Sequence, residues 1–132
     1  MNILKGKISS IKVNGDLSIV KVDIGKTIFS TILIDTPDTA SYLRLENEVS
    51  VIFKETEVIL GVGDMSGISL RNKLVGKVIS IESDRLLSKV TINTDLGPIT
   101  SIITSNAVTQ LKIVVGLEVS AMIKTNELML SK

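Results

Sequence analysis

Apolar and polar positions along this chain alternate with a period of two over many short stretches. Val20, Val22 and Ile24 are separated by Lys21 and Asp23, and Val49, Val51 and Phe53 keep the same spacing. That period belongs to half-buried strands, whose successive side chains point to opposite faces. In the first half of the chain it predicts strands over 5–11, 18–24, 27–34, 48–53 and 57–60, with Asn14-Gly15 marking a tight hairpin turn. One segment reads differently. Asp35-Thr36-Pro37-Asp38, followed by Thr39 to Leu43, offers a capping residue, a proline suited to the first helical position and an acid in the first turn, which predicts a short helix.

The pattern then repeats. A shift of 70 residues brings Asn2, Leu4, Gly6, Lys7, Ser10 and Ile11 onto Asn72, Leu74, Gly76, Lys77, Ser80 and Ile81. It also pairs Leu17, Ser18, Val20 and Ile32 with Leu87, Ser88, Val90 and Ile102. Towards the repeat ends it pairs Glu48, Val49, Ser50, Lys54, Glu57 and Leu60 with Glu118, Val119, Ser120, Lys124, Glu127 and Leu130. The chain therefore reads as two modules, 1–61 and 68–132, joined by a glycine-rich segment from Gly61 to Gly67. The counterpart of the first helix signal is 104–111. Five short strands with a helix between the third and fourth is the order of an OB-type barrel. The expected class is all-β with one short helix per module, in tandem OB-fold-like five-stranded barrels. A module of this size buries a thin core, so the two modules are expected both to pack together and to oligomerise.

Composition narrows the chemistry. The formal charge is +1 and the aromatics are one Tyr and two Phe, so a basic groove with stacking rings for single-stranded nucleic acid is not expected. Cys and His are both absent, which removes disulfides, the usual ligands of zinc and copper, and every catalytic arrangement that needs an imidazole. The carboxylates are scattered, with no pairing that would support acid–base catalysis, so an enzyme is not expected. No stretch approaches the run of about 18 apolar residues that spans a membrane. The N-terminal residues lack a secretory apolar segment, and the expected location is cytoplasmic.

Hydroxyls, amides and cations cluster in three stretches of the second module: Ser69-Leu70-Arg71-Asn72, Thr104-Ser105-Asn106 and Lys124-Thr125-Asn126. A tetrahedral dianion needs donors of these kinds from several directions. Each has a plainer reading beside it. Thr104 and Ser105 are ordinary helix caps, Ser69 and Asn72 can shape a turn, Arg71 can be a surface ion-pair partner, and a strand-edge Lys such as Lys54 or Lys124 guards against edge pairing. Gly6 and Gly76 suggest a strand bend or a close backbone approach.

The order Ser69-x-Arg71-Asn72-x-Leu74-x-Gly76-x-Val78, then Ile103-Thr104, then Ile123-Lys124, resembles the Mop-like domain. This is the molybdate-binding module of molbindins, of molybdate-responsive transcription regulators and of the TOBE segments of transport ATPases. The resemblance implies binding of molybdate or tungstate at interfaces between modules, with Ser69, Arg71, Asn72, Thr104, Lys124 and Thr125 as donors and Lys54 and Ser105 as secondary ones. It further implies storage or buffering without catalysis, in a homo-oligomer for which a trimer is favoured over a dimer. This sequence departs from the family pattern at Ala107, where a serine is usual. It departs again in the first module, where the Ser and Arg positions are absent and Ile34 stands at the place of Thr104. Two alternatives follow: a structural or partner-binding tandem, and the sensor part of a molybdate-responsive regulator.

Overall fold

The computed structural model describes all 132 residues. Its strands are β1 (Asn2–Asn14), β2 (Leu17–Ile24), β3 (Thr27–Leu33), β4 (Glu48–Phe53), β5 (Ile59–Gly61), β6 (Asn72–Ser83), β7 (Leu87–Thr94), β8 (Gly97–Thr104), β9 (Glu118–Ile123) and β10 (Met129–Ser131), with one helix, α1 (Ser105–Gln110). Two 3-10 turns, Glu55–Glu57 and Thr125–Glu127, precede β5 and β10. The all-β class with curled five-stranded sheets is as expected. In β2 every second residue, from Ser18 to Ile24, is buried, which is the alternation seen in the sequence.

The two sheets are ordered β10-β4-β1-β2-β3 and β5-β9-β6-β7-β8, with antiparallel pairing throughout. The last strand of each half is thus exchanged. Leu60 of β5 lies opposite Ala121 of β9, and Leu130 of β10 lies opposite Val51 of β4. The chain crosses from the first sheet to the second just after Phe53, and back just after Ile123. One continuous apolar core results, running from Ile8, Val20, Phe29 and Phe53 to Val90, Ile92, Ile99 and Ile123. Exchange answers the thin-core problem, because neither half has to close a barrel with its own strands alone.

Details of the repeat are reproduced in three dimensions. Register slips at the same place in both long strands, between Ile8 and Ser10 and between Val78 and Ser80, which marks a β-bulge. Just before it, Gly6 and Gly76 lie so close to the neighbouring strand that a Cβ would stand 2.4 Å from the carbonyl oxygens of Asp23 and Asn93. Both glycines are there for the close approach.

The expected helix of the first half does not form. Segment 34–47 is a chain of turns, with Leu43 buried as its anchor. The reason is local competition for hydrogen bonds. Thr39 Oγ1 accepts from Thr36 N at 2.8 Å and donates to Asp35 Oδ1 at 2.9 Å, and Thr36 Oγ1 accepts from Asp38 N at 3.2 Å. Short polar side chains that bond their own backbone draw it away from helix. The segment that does become helical also carries short polar residues, Ser105, Asn106 and Thr109, at the places of Asp35, Thr36 and Thr39. It has a clean cap, however, Ala107 N donating to Thr104 Oγ1 at 3.1 Å. The first half has Pro37, without an N–H, and Ile34, without a hydroxyl, at those two positions.

The turn before β4 differs from its twin in one costly way. Glu46 has φ of 70°, where its equivalent in the second half is Gly116 at φ of 95°. Both donate their N–H to the bulged strand, to Ile8 O and Val78 O, each at 2.8 Å. A non-glycine residue pays roughly 1 kcal/mol for a left-handed backbone, so Glu46→Gly is expected to stabilise the protein by about 0.5–1 kcal/mol, a gain partly offset by the looser unfolded chain. Chemical denaturation, read as a shift in midpoint at constant slope, checks this.

Candidate functional site

The residues picked out as donors surround the two crossovers. Asn72 is the first residue of β6 and pairs with Ile123, the last of β9, which sets Arg71 beside Lys124. Arg71 is exposed and its guanidinium curls onto the preceding linker, with Nε donating to Ser69 O at 3.3 Å and Nη2 donating to Ile68 O. Lys73 Nζ fastens the same linker by donating to Met65 O at 2.9 Å. Ser69 and Lys124 are exposed and Thr125 is half-buried. Four of the expected donors therefore lie around one crossover.

Asn72 does not belong with them as a ligand. It is completely buried, and its amide nitrogen donates to Ser30 O at 2.9 Å and to Ile123 O at 3.1 Å while Oδ1 accepts from Ser30 N at 2.7 Å. Both N–H groups are committed, so none is left for an anion. The residue is a bracket between β6 and the third strand of the other half. Asn2 makes the same bracket in reverse, with Nδ2 donating to Thr100 O at 2.8 Å and Oδ1 accepting from Thr100 N at 2.9 Å. Thr31 Oγ1 then donates to Leu128 O at 3.0 Å, and its equivalent Ser101 Oγ donates to Val58 O at 2.8 Å. These bonds are exchanged symmetrically between the two halves: Asn72 matches Asn2, and Thr31 matches Ser101.

That symmetry separates Thr104 from Arg71 and Lys124. Thr104 ends β8, the strand bracketed by Asn2 and packed against the Glu55–Glu57 turn. Lys89 of the adjoining β7 reaches Glu55 Oε2 at 4.0 Å in the same neighbourhood. Thr104 therefore sits at the Lys54 crossover. At the Lys124 crossover its place is taken by Ile34, which is 82% exposed. Within one chain the expected donor set is divided between two ends of the interface. The sequence could not show this, because residues that align in one repeat meet their partners in the other.

Ser105 is also a structural residue. Its hydroxyl donates to Asp84 O at 2.8 Å and lies 2.9 Å from Ser88 Oγ, which in turn lies 2.7 Å from Ser83 Oγ. This chain of hydroxyls ties the start of α1 to the β6–β7 loop. Asp84 closes that loop by accepting from the N–H groups of Leu87 and Leu86, which hold its carboxyl below the usual carboxylate range. Lys54 is exposed, and its backbone N–H donates to Glu57 Oε1 at 3.1 Å. Glu127, equivalent to Glu57, has its carboxyl raised above the ordinary glutamate range. Partial burial is the chief cause, followed by the hydrogen bond and charge of Glu57, with Lys124 pulling the other way. These two acids were legible only as one repeated pair among many. Their meeting across the interface is a product of the exchange.

An open cleft of about 750 Å³ lies elsewhere, against β1, β2 and β4. Asp23, Glu46 and Glu48 line it together with Lys5, Lys7 and Lys132, a mixture that does not suit a dianion. No cluster of three or more carboxylates gathers to hold a metal cation.

Residues 68–130 match the profile of the TOBE domain. The whole architecture is similar to a solved structure of the cytoplasmic molybdate-binding protein ModG with molybdate bound, at 29% identity and a TM-score of 0.88, over 98% of this chain and 94% of that one. A second solved structure, apo MopII from Clostridium pasteurianum, is 31% identical over 50% of this chain and 100% of that one, with a TM-score of 0.48. No curated protein sequence matches. The segment that matches this profile contains Ser69, Arg71, Lys124 and Thr125, and its Asn72 is the residue that locks it to the other half.

Replacing Asn72 by Ala would leave Ser30 N–H and Ile123 O without their partner in a buried position. It is expected to cost about 2–4 kcal/mol, given roughly 1–3 kcal/mol for each buried group left unsatisfied. Asn2→Ala should cost less, because Asn2 brackets Thr100 alone and no third bond is lost. Denaturant unfolding of the two variants side by side measures the difference.

Proposed function

We propose that this protein binds a tetrahedral dianion, molybdate or tungstate, and holds it reversibly without covalent chemistry. The observation that carries the reading is the gathering of Ser69, Arg71, Lys124 and Thr125 at one crossover of a fold similar throughout to molybdate-bound ModG. A guanidinium, an ammonium and hydroxyls supply the positive charge and the several donor directions that an oxyanion requires. With no His or Cys, the chain has no imidazole base and no thiol nucleophile. The repeats 1–61 and 68–132 are read as two modules of one origin that fold as a single unit.

The division of donors supports a homo-oligomer. Thr104 reaches an Arg71–Lys124 end only if another copy of the chain presents it, and the sheet faces are suited to such contact. On the outer side of the β2–β3 pair, Ile19 lies opposite Ile32 and both are exposed, with Leu17 beside them and Ile34 beyond. Exposed apolar positions on one face mark a surface for association. A trimer is the assembly we favour over a dimer, and storage or buffering in the cytoplasm is the proposed role. A second reading, a partner-binding tandem whose anion site has decayed, draws on the commitment of Asn72 and on Ile34 in place of a threonine.

Titration calorimetry with molybdate, against sulfate as control, separates the two. Under the proposed function molybdate binds at micromolar concentration, and Arg71→Ala and Lys124→Ala each weaken it by about 1.5–3 kcal/mol, the range for a lost charge-assisted hydrogen bond. Equal, negligible heats for wild type and both variants would leave the tandem reading standing. Light scattering on the eluting protein reports the number of copies.

A further inference from the structure

Residues 62–71 carry two of the anion donors, Ser69 and Arg71, yet no backbone–backbone hydrogen bond holds them between the end of β5 and the start of β6. Their arrangement depends on side chains. The Asp64 carboxylate accepts from Ser66 N at 2.9 Å and from Ser66 Oγ at 3.1 Å, which closes a turn inside the linker. Arg71 donates to the carbonyls of Ile68 and Ser69, also inside it. Neither tie reaches the sheet. The polar tie that does so is Lys73 Nζ donating to Met65 O at 2.9 Å. Val62, Ile68 and Leu70 are only half-buried.

The Met65 side chain makes a second fastening at the same residue. Gly61, the last residue of β5, leaves a notch. A Cβ there would stand 2.6 Å from Met65 Sδ, 2.9 Å from Met65 Cε and 3.0 Å from Met122 Cε. Met65 therefore occupies the space that a side chain at 61 would need, beside a methionine that is 1% exposed. Met122 lies between Ile59 of β5 and Lys73 of β6, so the notch and the lysine flank one row across the sheet. The matching row of the other sheet, Ile3, Ile52 and Met129, is left open, with Ile3 57% and Met129 43% exposed. There Ser131 stands at the place of Gly61 and Ile3 at the place of Lys73. Glycine, methionine and lysine are combined only where a donor-bearing linker has to be held.

We propose that Met65 is a positioning residue for the oxyanion site: seated in the Gly61 notch, it fastens the linker to the sheet and so sets Ser69 and Arg71 beside Lys124. The inference rests on the anion-binding reading and adds the residue that orders its donors. Asn72 is fixed by its own bracket to Ser30, so Met65 and Asn72 hold the donor stretch from both sides. Only six residues, 66–71, lie between them. Released at Met65, the loop grows to the ten residues 62–71. An anion must then order that loop as it binds, and its apparent affinity falls with the fraction of chains in which both donors are in place.

Two measurements on the full-length protein test this. In calorimetry with molybdate, Met65→Ala is expected to bind about tenfold more weakly, the factor if the ordered linker drops to about a tenth of the population. Met65→Leu refills the notch with an apolar side chain of similar volume and should bind within about twofold of wild type. Gly61→Ala evicts Met65 and should weaken binding as Met65→Ala does. The double variant should be no weaker than either, because both changes break one contact. Wild-type affinity in Met65→Ala, a Met65→Leu variant as weak as Met65→Ala, or losses that add in the double variant would overturn the proposal. The second measurement is of the ¹⁵N order parameters of the Ser69 and Arg71 amides in ligand-free protein. They should report a rigid backbone in wild type and Met65→Leu and a mobile one in Met65→Ala, and equal values in wild type and Met65→Ala would equally sink the idea. If they change as expected while wild type binds no molybdate, the anion reading fails and the fastening stands.

Discussion

The structure depends on a pair of buried amides exchanged between its halves. Asn2 and Asn72 each begin a long strand and each clasp the backbone of the other half's third strand, at Thr100 and Ser30. An asparagine that accepts from the N–H and donates to the C=O of one residue copies a strand neighbour, so it continues pairing where the ladder has ended. Thr31 and Ser101 add a second fastening to the segments leading into β10 and β5. With these in place the exchanged strands can lie only on the opposite sheet, and the two halves share one core.

The same arrangement decides where chemistry can occur. Each crossover brings together a lysine, the start of a long strand and the end of the other half's third strand. The second is furnished with Ser69, Arg71 and Thr125, while the first has Thr104 on the facing strand and a carboxylate already seated on Lys54 N. The two crossovers thus differ: Lys54 N is bonded to the Glu57 carboxylate, while Lys124 has Ser69, Arg71 and Thr125 around it. Charge is the natural lever in such a place, since a dianion and a carboxylate seek the same groups.

Much of this was readable beforehand. The period of two locates the strands, and of the two readings open for Gly6 and Gly76, a strand bend or a close backbone approach, the close approach is observed. The helix at 105–110 follows from Thr104 as cap and the apolar residues behind it. Its absence at 35–43 turns on whether Asp35, Thr36 and Thr39 bond one another or solvent, which local propensity leaves open. Asn72 and Ser105 illustrate the harder limit. A polar side chain in a motif can be a ligand or a brace, and only its neighbours decide which.

The sequence by itself determined the strand class, the run of matching residues 70 positions apart, the lack of imidazole and thiol groups, and the stock of hydroxyls and cations, because these depend on residue type and spacing along the chain. The tertiary structure decided that fifth strands are exchanged, that Thr104 stands apart from Arg71 and Lys124, and that Glu57 meets Glu127. The physical reason is that a strand pairs equally well with its own sheet or its twin's when the two sequences match. Which one it joins is settled by bonds between residues some 40 to 100 positions apart, such as Asn72 to Ser30 and Asn2 to Thr100.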